Sequence, residues 1–504
     1  MTANANLTRR DAMIGISAVA VSPLLSSASR GQSSAFAAAP KWMTLLGTSE
    51  KGDRDYTPRV DGDLPKAIRG SLYRNGPGLF ERGGYAIKHL LDGDGLIQRL
   101  SFSDGGVRYQ NAFVRTEKFI AEEAANGRLY ATWTTKKSDN IFANIGGNVT
   151  ETQAGVTVYP VHGKILARDE LGPTYEVDQH TLETLDHMPV GSGLDSVGFK
   201  AHSKIDPENG EWILAGNKYG RRMEVHVAIY EPTLKHKKQF SFLSPRQVYI
   251  HDFFATKNHL IFVLHPCNFN PLPFLSGFKS FTDSFDWRGE QGNIIAVVPR
   301  NGGDPKFYDA PASFMWHALN AYEANNEIVA DFVGYDEPDH FIGDNALFVN
   351  LMLGKMGRAQ SPGKIRRYRI SLAISHLSEE VIDAGNHEFP MIDGRTSMAR
   401  HAVGYFAYNG LGGFNSGLKS LNFDTGTTDM FDFGPNTQVG EPIFVPTPNG
   451  SVDNGYLLAQ CLDGTSEKTF FALFDAQNLS DGPVAKIWLS HHVPISFHGA
   501  WQAA

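Results

Sequence analysis

Four histidines lie in short apolar or aromatic frames, where a solvent-facing histidine would not be expected. The frames are Lys200-Ala201-His202-Ser203, Ile250-His251-Asp252-Phe253, Phe314-Met315-Trp316-His317-Ala318 and Phe497-His498-Gly499-Ala500-Trp501. A buried imidazole needs a partner for each ring nitrogen, and a metal ion is one such partner. Four neutral imidazoles without a thiolate suit a transition metal such as Fe(II), Zn or Cu. The chain has 18 histidines, most of which must be ordinary surface or core residues.

Ligands spread from residue 202 to residue 498 can meet only if the fold returns repeatedly to one place. From Tyr56 onward, short runs rich in β-branched and aromatic residues alternate with Gly, Asn, Asp and Pro, which predicts many short strands. Examples are residues 70–75, 106–110, 211–215, 259–264, 294–299 and 455–460. The pattern predicts an all-β fold, either a sandwich or a propeller. A propeller would point residues from distant blades at one axis.

Helices are expected only around residues 115–125 and, as a second option, at 311–318. No linker or low-complexity stretch divides residues 40–504, so we expect a single domain there. Its roughly 465 residues fit seven propeller blades of about 40–50 residues with long loops, although the sequence shows no clean internal repeat.

Composition favours a globular protein, with 41% hydrophobic residues and a formal net charge of -8. The negative charge argues against a nucleic-acid partner. The one basic run, Lys235-His236-Lys237-Lys238, is interpreted as a solvated turn.

Residues 1–39 have the pattern of a secretory signal. Arg9 and Arg10 precede an apolar run at 12–25, and small residues follow up to Ala39. The arginine pair predicts the twin-arginine route, cleavage near Ala37 or Ala39, and a periplasmic protein. The alternative is an uncleaved anchor, but the apolar run falls short of the ~20 residues that span a bilayer.

The chain has two cysteines, Cys267 and Cys461. Two are too few for a disulfide framework or a thiolate metal site. We expect two free, mostly buried thiols.

The four histidine frames, in this order, resemble the iron-binding segments of the carotenoid cleavage oxygenases. Arg74-Asn75-Gly76-Pro77 and His89-Leu90-Leu91-Asp92-Gly93-Asp94-Gly95 are similar to the opening signature of that family. The resemblance covers nearly the whole chain after residue 39, and the pattern is most similar to the bacterial apocarotenoid oxygenase branch. We interpret Asp92-Gly93-Asp94-Gly95 as a turn in which Gly supplies positive φ, because the spacing of a calcium loop is missing.

The resemblance implies a seven-bladed β-propeller with long loops capping one face. It also implies one Fe(II) per chain, held by His202, His251, His317 and His498. The implied reaction is cleavage of one conjugated C=C bond of a lipophilic apocarotenoid by O2, giving two carbonyl products. A stilbene dioxygenase, a retinoid isomerohydrolase and a non-catalytic lipid-binding propeller remain as alternatives.

Three glutamates match the family's carboxylates that hold the iron-binding histidines. They are Glu170, Glu388 and Glu441. By resemblance they support His251, His317 and His498, whereas His202 has no such partner. Hydrogen bonds of this kind fix the tautomer and orientation of a ligating histidine.

The sequence departs from the family in two places. Many relatives carry Asn-Thr-Asn a little before the first glutamate, and no such tripeptide can be aligned in residues 151–157. Stilbene-cleaving members hold the substrate phenol with a Tyr and a Lys. Tyr109 could be that Tyr, but Asp169 stands where the Lys is expected, which counts against a stilbene substrate.

Two apolar stretches are candidates for contact with a membrane. The first, interrupted by Pro and Gly, contains Phe269, Leu272, Phe274, Leu275 and Phe278. Loops dense in Phe and Leu are costly to leave in water, and in the family such a patch surrounds the substrate entrance and dips into the membrane. The second stretch, residues 345–353, is equally compatible with ordinary core.

Overall fold

Short antiparallel strands make up most of the fold. The computed structural model describes residues 37–104, 106–146, 151–170, 172–188, 190–343, 346–357, 360–409 and 414–504. The predicted signal therefore lies outside the described residues except for residues 37–39. The strands are β1 (Arg54–Tyr56), β2 (Arg59–Gly62), β3 (Gly70–Leu79), β4 (Glu81–Arg82), β5 (Tyr85–Ala86), β6 (Asp94–Ser103), β7 (Gly106–Phe113), β8 (Thr157–Val161), β9 (Lys164–Arg168), β10 (Thr174–Val177), β11 (Thr184–Met188), β12 (Gly198–Ile205), β13 (Trp212–Lys218), β14 (Glu224–Tyr230), β15 (His236–Leu243), β16 (Phe254–Ala255), β17 (His259–Leu264), β18 (Cys267–Phe269), β19 (Phe285–Trp287), β20 (Asn293–Pro299), β21 (Lys306–Ala310), β22 (Phe314–Ala324), β23 (Glu327–Tyr335), β24 (Lys364–Ser371), β25 (Leu377–Asp383), β26 (His387–Met391), β27 (Val403–Tyr408), β28 (Gly417–Asn422), β29 (Thr428–Asp432), β30 (Thr437–Val439), β31 (Ile443–Pro446), β32 (Gly455–Asp463), β33 (Lys468–Asp475), β34 (Ala485–Trp488) and β35 (His498–Ala503).

The described helices are few and short. They are α1 (Glu117–Ala125), α2 (Pro271–Leu275) and α3 (Leu347–Met352), with 3₁₀ segments at Lys41–Gly47, Leu90–Asp92, Ile141–Asn144, Thr282–Ser284, Gly289–Gln291, Gly394–Thr396 and Leu479–Asp481. The expected helix at 115–125 is confirmed as α1, whose first turn is capped by the Thr116 hydroxyl accepting from Phe119 N–H. None of the described helices is long and apolar enough to cross a membrane.

The helix considered at 311–318 is wrong, because this region enters strand β22. A short apolar run does not distinguish a buried strand from a buried helix by periodicity. Residues 314–317 are all buried, as expected for the strand nearest the axis of a propeller, which is covered on both faces.

Seven sheets form the blades of a β-propeller, as predicted. Blade 1 is β35-β3-β6-β7-β1, blade 2 is β8 to β11, blade 3 is β12 to β15, blade 4 is β16-β17-β20-β21, blade 5 is β22 to β25, blade 6 is β26 to β29, and blade 7 is β30 and β31 followed by β32-β33-β34-β2. The first strand named in each blade is the inner strand, and the inner strands of blades 1 and 2, 4 and 5, 5 and 6, and 7 and 1 contact one another around the axis.

The two chain ends close the ring in two places. The C-terminal strand β35 pairs antiparallel with β3, from Asn75↔His498 to Gly70↔Ala503. The N-terminal strand β2 pairs with β34 at the outer edge of blade 7. Each end is thereby held by hydrogen bonds to the other, and β35 brings the last histidine of the chain to the axis.

Apolar side chains fill the spaces between adjacent blades. Blades 1 and 7, for example, share a cluster that includes Leu72, Tyr109, Phe471 and Ile487. A separate, largely aromatic cluster lies among the loops that cap one face, and it includes Trp133, Tyr249, Trp316 and Phe341. Cys267 and Cys461 are buried and unpaired in these packed regions.

The glycines of the Asp92-Gly93-Asp94-Gly95 turn have another role than the positive φ predicted for them. Gly93 has φ -70°, and Gly95 also lies outside the left-handed region. A Cβ at Gly95 would lie 2.4 Å from the carbonyl oxygen of Ala154, and one at Gly93 would lie 2.6 Å from Cβ of Pro77. Close approach of the neighbouring backbone and side chain therefore requires glycine at both positions.

Candidate metal centre and its cavity

The four predicted histidines converge on the propeller axis. His202 lies on β12, His251 just before β16, His317 on β22 and His498 at the start of β35. Nε2 of His202 is 3.1 Å from Nε2 of His251, which is 3.3 Å from Nε2 of His317, which is 3.1 Å from Nε2 of His498. All four ligand atoms lie within 4.8 Å of one another.

Irregular pairing turns several of these side chains toward the axis. The register of β12 with β13 shifts between Phe199 and Ser203, and that of β22 with β23 shifts between Met315 and Ala318. Inner strand β26 has a similar shift just after Glu388. Bulges commonly re-aim side chains beside functional sites, and here they lie at two of the histidines and one of the glutamates.

Glu388 and Glu441 fix the orientation of two of the rings. Oε2 of Glu388 is 2.6 Å from Nδ1 of His317, and Oε1 of Glu441 is 2.9 Å from Nδ1 of His498. A carboxylate accepts the proton of Nδ1–H, so Nε2 of each ring keeps its lone pair toward the axis. The backbone N–H of Phe389 also donates to Glu388. Burial acts to raise the pKa of Glu388, but His317, with smaller contributions from Phe389 N–H and the Tyr335 phenol, lowers it.

Glu170 approaches the third ring. Its Oε1 is 2.6 Å from Nδ1 of His251, and the Tyr249 hydroxyl is 3.1 Å from the same nitrogen. The buried ammonium of Lys200 lies 3.3 Å from Oε2 of Glu170. Burial raises the pKa of Glu170 to about 7, against the opposing effect of Lys200. Among the described residues, no carboxylate forms an ion pair with His202, the one ring for which none was expected.

Glu441 is the most extensively bonded of the three carboxylates. Besides His498, it accepts from Gly499 N–H at 2.8 Å and from Nη1 of Arg74 at 3.3 Å. Arg74 is fully buried and also donates to the Ser496 hydroxyl and to the Phe497 carbonyl. The same guanidinium thus binds both Glu441 and the segment that leads into His498.

Burial controls the protonation of the histidines. Burial, assisted by the neighbouring histidines, holds the pKa of His202 and of His251 well below the usual range. Burial also lowers the pKa of His498, although Glu441 opposes it. At His317 burial acts to lower the pKa, but the Glu388 carboxylate outweighs it and raises that pKa. Neutral imidazoles are the form that binds a metal.

This donor set fits a single metal ion. Two nitrogens bound at about 2.1 Å to one ion lie about 3.0 Å apart at a right angle and about 3.4 Å apart at the tetrahedral angle. The separations of 3.1–3.3 Å fall in this interval. In three of the rings Nδ1 lies next to a carboxylate, so the Nε2 lone pairs face one another in a buried space. These lone pairs repel one another, and a bound cation would relieve the repulsion.

A cavity of about 420 Å³ opens onto three of the histidines. Apolar side chains cover much of its wall near His251, His317 and His498, and they include Leu91, Val156, Trp316, Phe348, Phe389, Ile495 and Phe497. Loops of blades 5, 6 and 7 form the other side, where the exposed lining residues are Gln360 and Ala384. A substrate of this size would be enclosed by apolar surface next to the metal ligands.

A second, more polar cavity of about 170 Å³ reaches the histidines from another side. It contacts His202, which does not line the first cavity, and the ion pair of Lys204 and Asp252. Phe389 lines both cavities and stacks on His317 with ring centroids 5.4 Å apart. Phe389 has φ 50°, a conformation that costs energy for a bulky residue and is characteristic of functional sites.

The predicted entrance residues of the first apolar stretch do not line the first cavity. None of Phe269, Leu272, Phe274, Leu275 and Phe278 lines it. Phe269 is buried in the aromatic cluster of the cap, whereas Leu272 and Phe278 are 76% and 68% exposed on and after α2. From the second apolar stretch, Leu347 and Phe348 on α3 line the cavity, and its first residue, Asn345, lies outside the described residues.

Tyr109 does not reach the site. Its ring is buried between blades 1 and 7, and its hydroxyl donates to Oε1 of Gln98 at 3.2 Å. It does not line the cavity, because its position on β7 separates it from the axis by β6, β3 and β35. Asp169 is also buried and accepts a hydrogen bond from Trp133 Nε1 at 3.3 Å.

Sequence reasoning missed several residues that shape the centre. Arg74 and Asn75 were noted only as part of a signature, yet Arg74 holds Glu441, and the Asn75 amide donates to the carbonyls of Ala154 and Thr157. Lys200, two residues before His202, could have indicated a nearby carboxylate, because a buried lysine requires such a partner. Nothing in the sequence indicated Tyr249 or Tyr335.

Comparisons with known proteins identify the family of the chain and support its fold. Residues 48–503 match the family model described as retinal pigment epithelial membrane protein. The chain is 28% identical to apocarotenoid-15,15'-oxygenase of Synechocystis over 88% of the chain and 92% of that protein. It is also 28% identical to isoeugenol monooxygenase of Pseudomonas putida over 88% and 94%. A solved cobalt-substituted apocarotenoid oxygenase of Synechocystis is 26% identical and superimposes with a TM-score of 0.85, covering 92% of this chain and 99% of that one.

Proposed function

The chain belongs to the retinal pigment epithelial membrane protein family, the carotenoid cleavage oxygenases, and from this premise we propose that it is a non-haem Fe(II) dioxygenase that cleaves an apocarotenoid. The supporting observation is the convergence of four imidazole nitrogens beside a largely apolar cavity. One conjugated C=C bond and one O2 would give two carbonyl products, so that both oxygen atoms are accounted for.

The residues of the chain would contribute position and environment. Iron supplies the activation of dioxygen when it is bound by His202, His251, His317 and His498. Glu388 and Glu441 hold two of these rings in the ligating tautomer, and Glu170 contacts a third. Trp316, Phe389 and Phe497 provide apolar walls that would align a polyene and exclude water. No nucleophile or general base is needed.

Cleavage of the side-chain double bond of a phenolic alkene is a second candidate function. It is favoured by the isoeugenol monooxygenase of Pseudomonas putida, which is as similar to this chain as the apocarotenoid oxygenase is. The position of Tyr109 and the acidic Asp169 weaken the case for a stilbene held by a Tyr and a Lys.

Product analysis distinguishes these candidates. Iron-loaded protein would be incubated with an apocarotenal, isoeugenol, a hydroxylated stilbene and a retinyl ester, and the products identified by mass spectrometry. We expect two aldehyde or ketone fragments from the apocarotenal. Turnover of isoeugenol or stilbene alone would support the second candidate, and hydrolysis or isomerisation of the ester without C=C cleavage would contradict both.

We further propose contact with a membrane through an exposed apolar patch. The patch consists of Leu272, Leu275 and Phe278 around α2 together with Phe142 and Ile145, all of which are exposed. The two segments are joined by the hydrogen bond from Gly146 N–H to the Leu275 carbonyl at 2.7 Å. A cluster of this kind is costly in water and suits a lipid surface.

Export to the periplasm remains a proposal that rests on the signal pattern of residues 1–39. Ala38 forms an isolated bridge with Lys355, and Met356 N–H donates to the Ala37 carbonyl. Cleavage after Ala37 would retain the Ala38 bridge, whereas cleavage after Ala39 would remove it. N-terminal sequencing of the exported protein would decide between them.

A further inference from the structure

The loops opposite the histidines give the cavity a polar wall without charge. Its lining there includes Gln360, Ser361, Asn386, Tyr408, Asn409, Asn415 and Gln438. Apart from the histidines, the one ionisable lining group that is charged at neutral pH is Glu388, which is bonded to His317 and to the Phe389 N–H. Among the described lining residues there is therefore no lysine or arginine to bind a carboxylate. The wall suits a neutral, oxygen-bearing group.

Two of the side-chain amides on this wall form hydrogen bonds with the backbone of neighbouring residues. Oδ1 of Asn386 accepts from Gly363 N–H at 2.9 Å, and Nδ2 of Asn409 donates to the Phe414 carbonyl at 2.8 Å. The backbone of Asn409 donates to the Asn386 carbonyl, which links the loops of blade 6. These amides hold the loops in place and have limited capacity left for a ligand.

Gln438 differs from them. It lies on β30, the inner strand of blade 7, and its side chain is only 5% exposed. Its side chain lines the cavity, and within the part of the chain that the structure describes no hydrogen bond joins its amide to another residue. The amide is therefore available to a ligand or water in the cavity. A primary amide can both donate to and accept from a hydroxyl group.

Its place on the strand relates Gln438 to the metal ligands. It precedes Glu441, which holds His498, by three residues, so their Cα atoms are at most about 11 Å apart. A group bound at Gln438 would therefore lie at a fixed distance from the point where the histidines converge.

We propose that the Gln438 amide binds a neutral hydroxyl at one end of the substrate and thereby selects which double bond meets the metal centre. The inference rests on the proposed function and specifies its substrate class as a conjugated molecule that ends in a hydroxyl. Such a hydroxyl could belong to the ring of an apocarotenoid or to a phenol, and both have the same hydrogen-bonding chemistry toward an amide.

The test uses pairs of substrates that differ only in that hydroxyl. One pair is an apocarotenal with and without a ring hydroxyl, and the other is 4-hydroxystilbene and stilbene. The iron-loaded wild-type chain should prefer the hydroxylated member in kcat/KM by about 3–10-fold, the value of one hydrogen bond. Gln438→Leu should reduce the ratio to about 1 and broaden the set of cleavage positions. Gln477→Leu makes the same change at an exposed turn and should retain the preference.

Binding is measured separately, by titrating the metal-free protein with each pair and following tryptophan fluorescence. If the hydroxyl preference appears in binding and disappears in Gln438→Leu while no substrate is cleaved, the proposed function fails and the role of Gln438 stands. If cleavage occurs with the same preference in the wild type and in Gln438→Leu, the role of Gln438 is overturned and the function stands. Absence of a hydroxyl preference in both pairs also overturns it.

Discussion

Arg74 and Glu441, which are far apart in the sequence, form a buried ion pair with Nη1 of Arg74 3.3 Å from Oε2 of Glu441. Arg74 lies on β3 beside the C-terminal strand, and Glu441 holds Nδ1 of His498. The pair therefore couples closure of the propeller ring to the orientation of one metal ligand. A guanidinium is suited to this position because it can bind Glu441 and the backbone before His498 at once.

The first prediction is that Arg74→Met loses both stability and metal. Removing one partner of a buried ion pair leaves the other charge uncompensated, and the free energy of unfolding should fall by about 3–5 kcal/mol. Denaturant titration and metal analysis would measure the two effects. Arg108→Met, which removes an exposed arginine paired with Asp55, is the control and should leave the stability nearly unchanged, because ion pairs at the surface contribute little. Normal stability and metal content in Arg74→Met would contradict the proposed coupling.

The second prediction separates Glu388 from Glu441. Substitution of either by Gln should weaken metal retention by about 10–100-fold, because the ring loses its ionised acceptor. Glu441→Gln should also lower the free energy of unfolding, since Arg74 is left without its counter-charge, whereas Glu388→Gln should leave the fold nearly as stable as before. Metal retention against a chelator and denaturant titration give both quantities. Equal stability of the two variants would argue against the role of Arg74.

The third prediction concerns the C-terminus. His498→Ala should remove the metal and leave the strand content intact. Deletion of 498–504 removes all of β35, the inner strand of blade 1, so it should both abolish metal binding and destabilise the ring. Circular dichroism during heating and metal analysis distinguish the two variants. A deletion that keeps normal metal content and stability would break the assignment of His498.

The fourth prediction addresses the apolar patch. The double substitution Leu272→Ser and Phe278→Ser should reduce binding to lipid vesicles by at least about tenfold, because it removes two side chains that would be buried in the bilayer surface. Ile374→Ser changes a side chain that is 66% exposed on the hairpin between β24 and β25, and it serves as the control. Unchanged co-sedimentation of the double variant with vesicles would exclude this patch as the contact.

The sequence allowed the strands to be predicted because alternating apolar runs and turn residues are local signals. Residues 259–264, for example, coincide with β17. The error at 311–318 arose where a strand is buried on both faces and has no alternation to reveal it. The absence of a sequence repeat left the number of blades dependent on family resemblance, and seven sheets confirm it.

The site was harder to predict where it depends on irregular backbone and distant pairs. His202 and His317 lie at register shifts, which propensities do not reveal. The bond between Arg74 and Glu441 depends on ring closure, and the unpaired amide of Gln438 depends on which loops meet around the cavity. Tyr109 has the residue type expected to bind the phenol of a substrate, but its strand places it among the side chains between two blades.

Metal analysis combined with X-ray absorption spectroscopy tests the central claim most directly. Protein produced with iron should contain one iron per chain, coordinated by nitrogen and oxygen without sulfur, and removal of that iron should abolish C=C cleavage until Fe(II) is restored. Stoichiometric zinc in a protein whose activity does not depend on iron would contradict the four-histidine iron centre and the reaction proposed for it.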